Sequence, residues 1–224
     1  VGIFIHKLKG LVMVVLFDFD GGVMDTETYY TNFWDEVGEK YLGRENFGMT
    51  VKGQSMNLIY GKYFTGEYEK LQEQMTKEID ELEMNMSYNY IAGVESFIKE
   101  LDDKGIPTAI VTSSDDRKME IIYEKHPSLK HTMKYIITAD QFTHSKPHPE
   151  CYQLAMKKLN VNPEEAIVFE DSIYGIKAGK AAGAKVVGVA TTNGREQIKD
   201  LTDYVIDDFA GMNVALLEKI YSNK

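Results

Sequence analysis

Apolar positions along this chain follow two rhythms. Short unbroken runs, MVVLF (13–17), PTAIVT (107–112), YIIT (135–138), AIVFE (166–170), KVVGVA (185–190) and DYVID (203–207), have the length and β-branched content of buried strands. Helical spacing separates the later runs, near residues 116–125, 150–159, 173–182 and 211–221, and Val94, Phe97, Ile98 and Leu101 form another helix face that Gly105 stops. Strands alternating with helices predict βαβ units and a parallel sheet covered on both faces. Between about 28 and 90 the texture differs. Tyr30, Phe33, Trp34 and Val37 fall at i, i+3, i+4 and i+7 within 26–37. Tyr68, Leu71, Met75, Ile79, Leu82 and Met86 make a stripe over 67–86. No strand pattern interrupts that stretch, so it reads as a helical insert.

The 224 residues suffice for one large domain or a domain with an insert, and 43% hydrophobic with 27% charged residues is ordinary for a globular protein. No apolar run reaches membrane-spanning length, so no membrane partner is expected. The apolar start, VGIFIHKLKGLVMVVLF, lacks a basic leader and a small-residue cleavage site and reads as non-secretory, with Met13 a candidate natural start and 1–12 an extension. One cysteine, Cys151, excludes an internal disulfide and fits a reducing, cytoplasmic setting; with no Cys/His signature around it, a packed or surface thiol is the reading. The formal charge of −10 argues against nucleic acid as partner. A monomer is the default expectation.

Candidate chemistry gathers at the C-terminal ends of the expected strands, where ligands bind in open α/β sheets. Asp18 and Asp20 lie just beyond the first run, two carboxylates at i and i+2: one can attack, the other can shuttle a proton, and both offer the hard oxygens that suit Mg²⁺. Alone the pair is equally an acidic turn; an EF-hand fails, because Gly22 and Val23 stand at ligand positions and a strand precedes the pair. Thr112, followed by Ser113 and Ser114, offers a hydroxyl and backbone N–H groups for a phosphate oxygen, or simply caps a helix. Lys146, between Ser145 and Pro147 in a loop stiffened by Pro147 and Pro149, supplies a fixed cation or is an ordinary solvated lysine; His148 reads as a plain loop histidine. Glu170 and Asp171 close one strand and open a helix, a helix cap or the completion of a metal site with Asp18.

Order and spacing together carry more than any one piece. FDFDGGVMDTE (17–27), VTSSD (111–115), SKPHPECY (145–152) and VFEDSIYGIKAGKAAG (168–183) resemble the four motifs of the haloacid dehalogenase-like hydrolase superfamily, and the last two resemble its β-phosphoglucomutase and sugar-phosphate phosphatase subgroup. The resemblance implies an α/β fold: a Rossmann-like parallel-sheet core with helices on both faces, residues 1–27 and 92–224, plus an inserted all-helical cap, 28–91. It implies a phosphatase of small phosphorylated metabolites, sugar phosphates foremost. Asp18 would form an aspartyl-phosphate and Asp20 would act as general acid and base. Thr112 and Lys146 would complete the catalytic set, with Ser113 and Ser114 on phosphate. Mg²⁺ would be held by Asp18, the backbone carbonyl of Asp20, Asp171 and, directly or through its outer shell, Glu170. Lys52, Gln54 and Ser55, in the loop between two helical stretches of the cap, would contact substrate.

Three positions depart from the family pattern. Gly22 replaces a usual Thr or Val, which predicts a looser Asp20. Tyr30 and Met56 stand where mutases of the subgroup carry His and Arg, and neither replaces a cationic phosphate clamp, which favours hydrolysis over a hexose-phosphate mutase. Asp20 itself disfavours dehalogenation and phosphonate hydrolysis. The alternatives of another class are a non-catalytic metabolite-binding protein and a phospho-accepting module; the latter's motif order differs and it lacks the insert.

Overall fold

This computed structural model describes residues 7, 8 and 11–222; the expected extension over 1–12 falls largely outside them. A small antiparallel pair, β1 (Lys7–Leu8) with β2 (Leu11–Val12), comes first. The body is a six-stranded sheet: β3 (Val14–Phe17), β4 (Thr108–Val111), β5 (Tyr135–Ile137), β6 (Ala166–Glu170), β7 (Lys185–Val189) and β8 (Tyr204–Ile206). Every pairing is parallel, in the order β5-β4-β3-β6-β7-β8. The first strand is thus central. The chain builds outward on one side through β4 and β5, then returns to β6 on the other. The crevice between β3 and β6 is where the strand order reverses.

Alternation along each strand makes two cores. Val15, Phe17, Ile110, Ile167 and Phe169 face one way, toward Val94, Phe97, Ile98 and Leu101 of α5 (Val94–Asp103), Met119 and Ile122 of α6 (Asp116–Lys125), Leu129 of α7 (Leu129–Thr132), and Leu217 and Ile220 of α11 (Val214–Ser222). Val14, Leu16, Ala109, Val111 and Val168 face the other way, toward Cys151, Tyr152, Ala155 and Met156 of α8 (Glu150–Leu159), Ile176 and Ala178 of α9 (Ile173–Ala181) and Ile198 of α10 (Arg195–Ile198). Strands buried on both faces explain why their sequences read as continuous apolar runs. Cys151 is one of these packed residues, as expected.

The insert is helical, as its periodicity predicts: α1 (Glu27–Val37), α2 (Phe47–Val51), α3 (Met56–Tyr63) and α4 (Gln72–Asn85). They close on a core of their own around Trp34, Val37, Phe47, Val51, Ile59, Phe64, Met75 and Ile79. The stripe expected over 67–86 is interrupted: Gly66–Leu71 winds as a 3₁₀ turn, and α4 begins only at Gln72. The short α2 and α3 have too few turns to show a period in sequence. The two chain crossings between core and cap run side by side. Asp25 donates its N–H to the carbonyl of Asn89 at 2.8 Å and Ile91 to that of Val23 at 2.9 Å, flanking a bridge between Met24 and Tyr90.

Phe97 packs edge-on to Phe17 (6.1 Å between ring centroids) and Phe169 (5.7 Å) and stacks with Phe209 (5.9 Å), directly beneath the strand ends. Phe97→Ala is expected to lower stability by about 3–5 kcal/mol, read as a reduced urea midpoint with an unchanged m-value.

Candidate active site

Register brings the acids together. Phe17 pairs with Phe169, and Asp18 donates its N–H to the Phe169 carbonyl at 2.9 Å, so Asp18 emerges beside Glu170 and Asp171 at the switch point. Lys146, reaching in from the loop before α8, is 3% exposed. Its ammonium donates to Asp18 Oδ1, to Glu170 Oε1 at 2.6 Å and to the Val111 carbonyl at 3.3 Å. Glu170 is fully engaged: Oε1 also accepts the Tyr152 hydroxyl at 2.8 Å, and Oε2 accepts the N–H and hydroxyl of Ser172 at 3.1 and 3.0 Å. Asp171 differs. Both its carboxylate oxygens are buried without a hydrogen-bond donor of ordinary geometry, although the Thr192 hydroxyl lies nearby.

The electrostatics follow from this crowding. Burial, then repulsion from Glu170, raises the pKa of Asp18 to about 7 against the pull of Lys146. Burial with Asp18 and Glu170 alongside raises Asp171 well above the carboxylate range. Burial alone would lower Lys146, but Asp18 and Glu170 hold it well above its ordinary value. One ammonium therefore faces three buried carboxylates. Asp18, Glu170 and Asp171 offer oxygens that all lie within 4.8 Å of one another. An all-oxygen set with a donor-free carboxylate and excess negative charge fits a hard divalent cation of the Mg²⁺ kind.

Asp20 is held apart from this group. Its Oδ1 accepts the Thr26 hydroxyl and the Lys118 ammonium, both at 2.6 Å, and its Oδ2 accepts the Ser114 hydroxyl at 2.8 Å. Burial pushes its pKa up, but Lys118 and the hydroxyls overcome that and the net shift is downward. The expected looseness from Gly22 is therefore corrected: three donors fix Asp20, and a Cβ at Gly22 would stand 2.4 Å from the Asp18 carbonyl oxygen, so the loop closes tightly because no side chain is there.

Above these groups lies a cavity of about 500 Å³ between core and cap. Asp18, Asp20, Ser113, Ser114 and Lys146 line it from below, and Lys52, Gln54 and Ser55, between α2 and α3, line it from the cap. Gln54 Oε1 and Ser55 Oγ are buried there without partners. The cap loop meets the core at Gly53, where a Cβ would stand 2.7 Å from Ser172 Cβ. Thr112 is not on the cavity wall. It is 1% exposed and its hydroxyl accepts the Ser114 N–H at 3.0 Å. The Ser114 hydroxyl is committed to Asp20, so of these three residues Ser113 is the one that lines the cavity without that commitment.

Several site residues escaped the sequence reading. Lys118 is 3% exposed and pairs with Asp20 from the first turn of α6; its signal was its place three residues after the cap Asp115. Glu27 lines the cavity, with a pKa raised to about 8 by burial and by Asp20. Arg117 bridges core to cap, binding Asp80 at 2.7 Å and Glu83 at 2.5 Å, while the Tyr30 hydroxyl donates to Glu83 at 2.9 Å. Tyr30, at the position where mutases carry His, is thus occupied within this cluster, and Met56 lines the cavity as an apolar side chain.

The model of the haloacid dehalogenase-like hydrolase family matches residues 15–189. YhcW of Bacillus subtilis strain 168, whose own phosphatase assignment is provisional, is 31% identical over 219 residues, spanning 92% of this chain and 96% of its own. The phosphorylated carbohydrates phosphatase of Thermotoga maritima is 29% identical over 184 residues, 78% of this chain and 84% of its own. Among solved structures, β-phosphoglucomutase from Clostridium difficile superposes with a TM-score of 0.74 at 25% identity, covering 94% of this chain and 97% of that one.

Two outcomes follow from the site. Lys118→Met removes the cation on Asp20 and raises that carboxyl's pKa, so the pH profile of kcat/KM should shift to higher pH. Glu150 clamps the Lys146 loop, accepting the N–H of Thr143 at 3.0 Å and of His144 at 2.9 Å; these bonds and the His144 ring lower its pKa from 4.5 to about 2. A depressed carboxyl stabilises above its unfolded pKa and loses that contribution as pH falls through its folded one. The stability gap between wild type and Glu150→Gln should be constant at neutral pH and close between about pH 4.5 and 2, by urea titration at each pH.

Proposed function

The chain belongs to the haloacid dehalogenase-like hydrolase family, and we propose that within it this protein is a Mg²⁺-dependent phosphatase of small phosphorylated metabolites, sugar phosphates foremost. Relatives named as phosphatases support phosphoric monoester hydrolysis. The observation that carries the reading is the buried Lys146 ammonium shared by Asp18 and Glu170 at the floor of the cavity, beside Asp171, whose oxygens have no hydrogen bond of ordinary geometry.

Asp18, Asp171 and the backbone carbonyl of Asp20 would hold the metal, with Glu170 kept for orienting Lys146. Bound there, Mg²⁺ supplies electrostatic neutralisation of the phosphoryl oxygens. Lys146 favours the ionised form of Asp18 against burial and Glu170 and adds positive charge where phosphate must sit in a protein of formal charge −10. Ser113 anchors a phosphate oxygen. Asp18 Oδ attacks phosphorus; the P–O bond to the substrate breaks as Asp20, in its protonated form, gives the leaving alkoxide a proton. Asp20 then takes a proton from the water that attacks the aspartyl-phosphate, which frees Asp18 and inorganic phosphate. The downward shift of Asp20 means that it rests ionised in the present arrangement, able to accept the water proton, and that its acid role needs substrate to bring the pKa back up. The cap excludes water during both steps.

The substrate class rests on the cap side of the cavity. Gln54 Oε1 and Ser55 Oγ, buried and unpaired, ask for hydroxyl partners, and a polyhydroxylated phosphate ester offers them. The likeness to β-phosphoglucomutase favours a second reading, a hexose-phosphate mutase. Tyr30, committed to Glu83, and the apolar Met56 weigh against it.

Purified protein should release phosphate from an aryl phosphate only with Mg²⁺, and Asp18→Asn should fall to background; full activity in that variant would sink the nucleophile assignment. Across a panel of sugar and nucleotide phosphates, sugar phosphates should yield stoichiometric free phosphate. Hexose-phosphate interconversion without release would establish the mutase instead.

A further inference from the structure

A second group of metal-ligating side chains lies on the surface, outside the catalytic cavity. We propose that His144, His148 and Glu150 form a separate site for a divalent transition ion of the zinc class. The two histidines flank Lys146 in the loop that enters α8, and Glu150 is the first residue of that helix. Their rings lie 4.5 Å apart between centroids, tilted by 34°. Glu150 Oε2 sits 2.7 Å from His144 Nδ1 and 3.9 Å from His148 Nδ1, and the three ligand atoms all lie within 4.8 Å of one another. A tetrahedral ion with bonds of about 2.0–2.1 Å spaces its ligands roughly 3.3 Å apart. The observed separations bracket that value, so ring rotations suffice to admit an ion.

The carboxylate is already oriented. It accepts the backbone N–H of Thr143 on Oε1 and of His144 on Oε2, and these bonds can persist when an ion replaces the His144 Nδ1 proton. His148 gives up only a 3.3 Å bond from the Glu150 N–H. Pro147 and Pro149 bracket His148 and limit the backbone freedom lost on binding. Both histidine side chains are half exposed or more, at 63% and 50%, so water can complete the coordination. Two imidazoles with one carboxylate select zinc, nickel, copper or cobalt, whereas the all-oxygen set at Asp18, Glu170 and Asp171 suits a hard ion. Ligand type therefore separates the two sites.

The test is a calorimetric titration of Zn²⁺ into the whole protein with Mg²⁺ held in excess. Wild type should bind one Zn²⁺ at this site, and the double variant His144→Ala/His148→Ala should bind it at least about tenfold more weakly. Asp171→Asn, which touches only the acidic set, should bind as wild type does. Zn²⁺ should also raise the unfolding temperature of wild type and not of the double variant. If the double variant unfolds early without metal, His148→Ala alone carries the comparison. Equal zinc binding by wild type and the histidine variants, loss of binding in Asp171→Asn alone, or no saturable binding at all would overturn the assignment.

Discussion

The buried contact of Lys146 with Asp18 and Glu170 is the constraint the rest of the structure serves. Three carboxylates and one ammonium are taken out of water at one point, and such burial is tolerated only when geometry and extra hydrogen bonds compensate. Tyr152 and Ser172 supply those bonds to Glu170, and the Val111 carbonyl supplies one to Lys146. Asp171 is left over, with no hydrogen bond of ordinary geometry and the Thr192 hydroxyl as its neighbour. The imbalance is local and functional: a chain of formal charge −10 makes a place for an anion by holding fixed cations at the floor of its cavity and an acidic set that suits a metal.

Sheet topology makes that contact inevitable once the strands form. A central first strand followed by a return on its other side puts the ends of β3 and β6 next to each other, and a one-residue change of register would turn Asp18 away from Glu170. The loop carrying Lys146 is then fixed from behind by Glu150, whose carboxylate gathers two backbone N–H groups. Packing sits under the chemistry: Phe17, Phe97, Phe169 and Phe209 stack beneath the strand ends and give the acids a floor that cannot relax.

Asp20 belongs to a second network that reaches the cap. Lys118 binds it, and the same ammonium lies 4.8 Å from the centroid of the Tyr30 ring, whose hydroxyl meets Glu83, which Arg117 in turn holds. The helix that carries Arg117 and Lys118 thus contacts both Asp20 and two helices of the cap. Cap position and the setting of Asp20 share these side chains, so they are physically linked.

What the sequence determined by itself was whatever is local. Continuous apolar runs marked strands buried on both faces, the 3.6-residue stripes marked the insert as helical, and the identities and order of Asp18, Asp20, Lys146 and Asp171 marked the residues that the fold gathers at the strand ends. Tertiary structure decided the rest. Thr112 and Ser113 are neighbours at a strand end, where successive side chains point opposite ways, and only the fold shows that Ser113 reaches the cavity and Thr112 does not. Lys118 meets Asp20 across 98 positions of chain, and Arg117 meets Glu83 across 34. In sequence Glu170 could serve the metal directly or through its outer shell; in the fold its oxygens accept from Lys146, Tyr152 and Ser172. Residue type and spacing are written along the chain, but the direction of a side chain and the partner waiting for it depend on packing between distant elements.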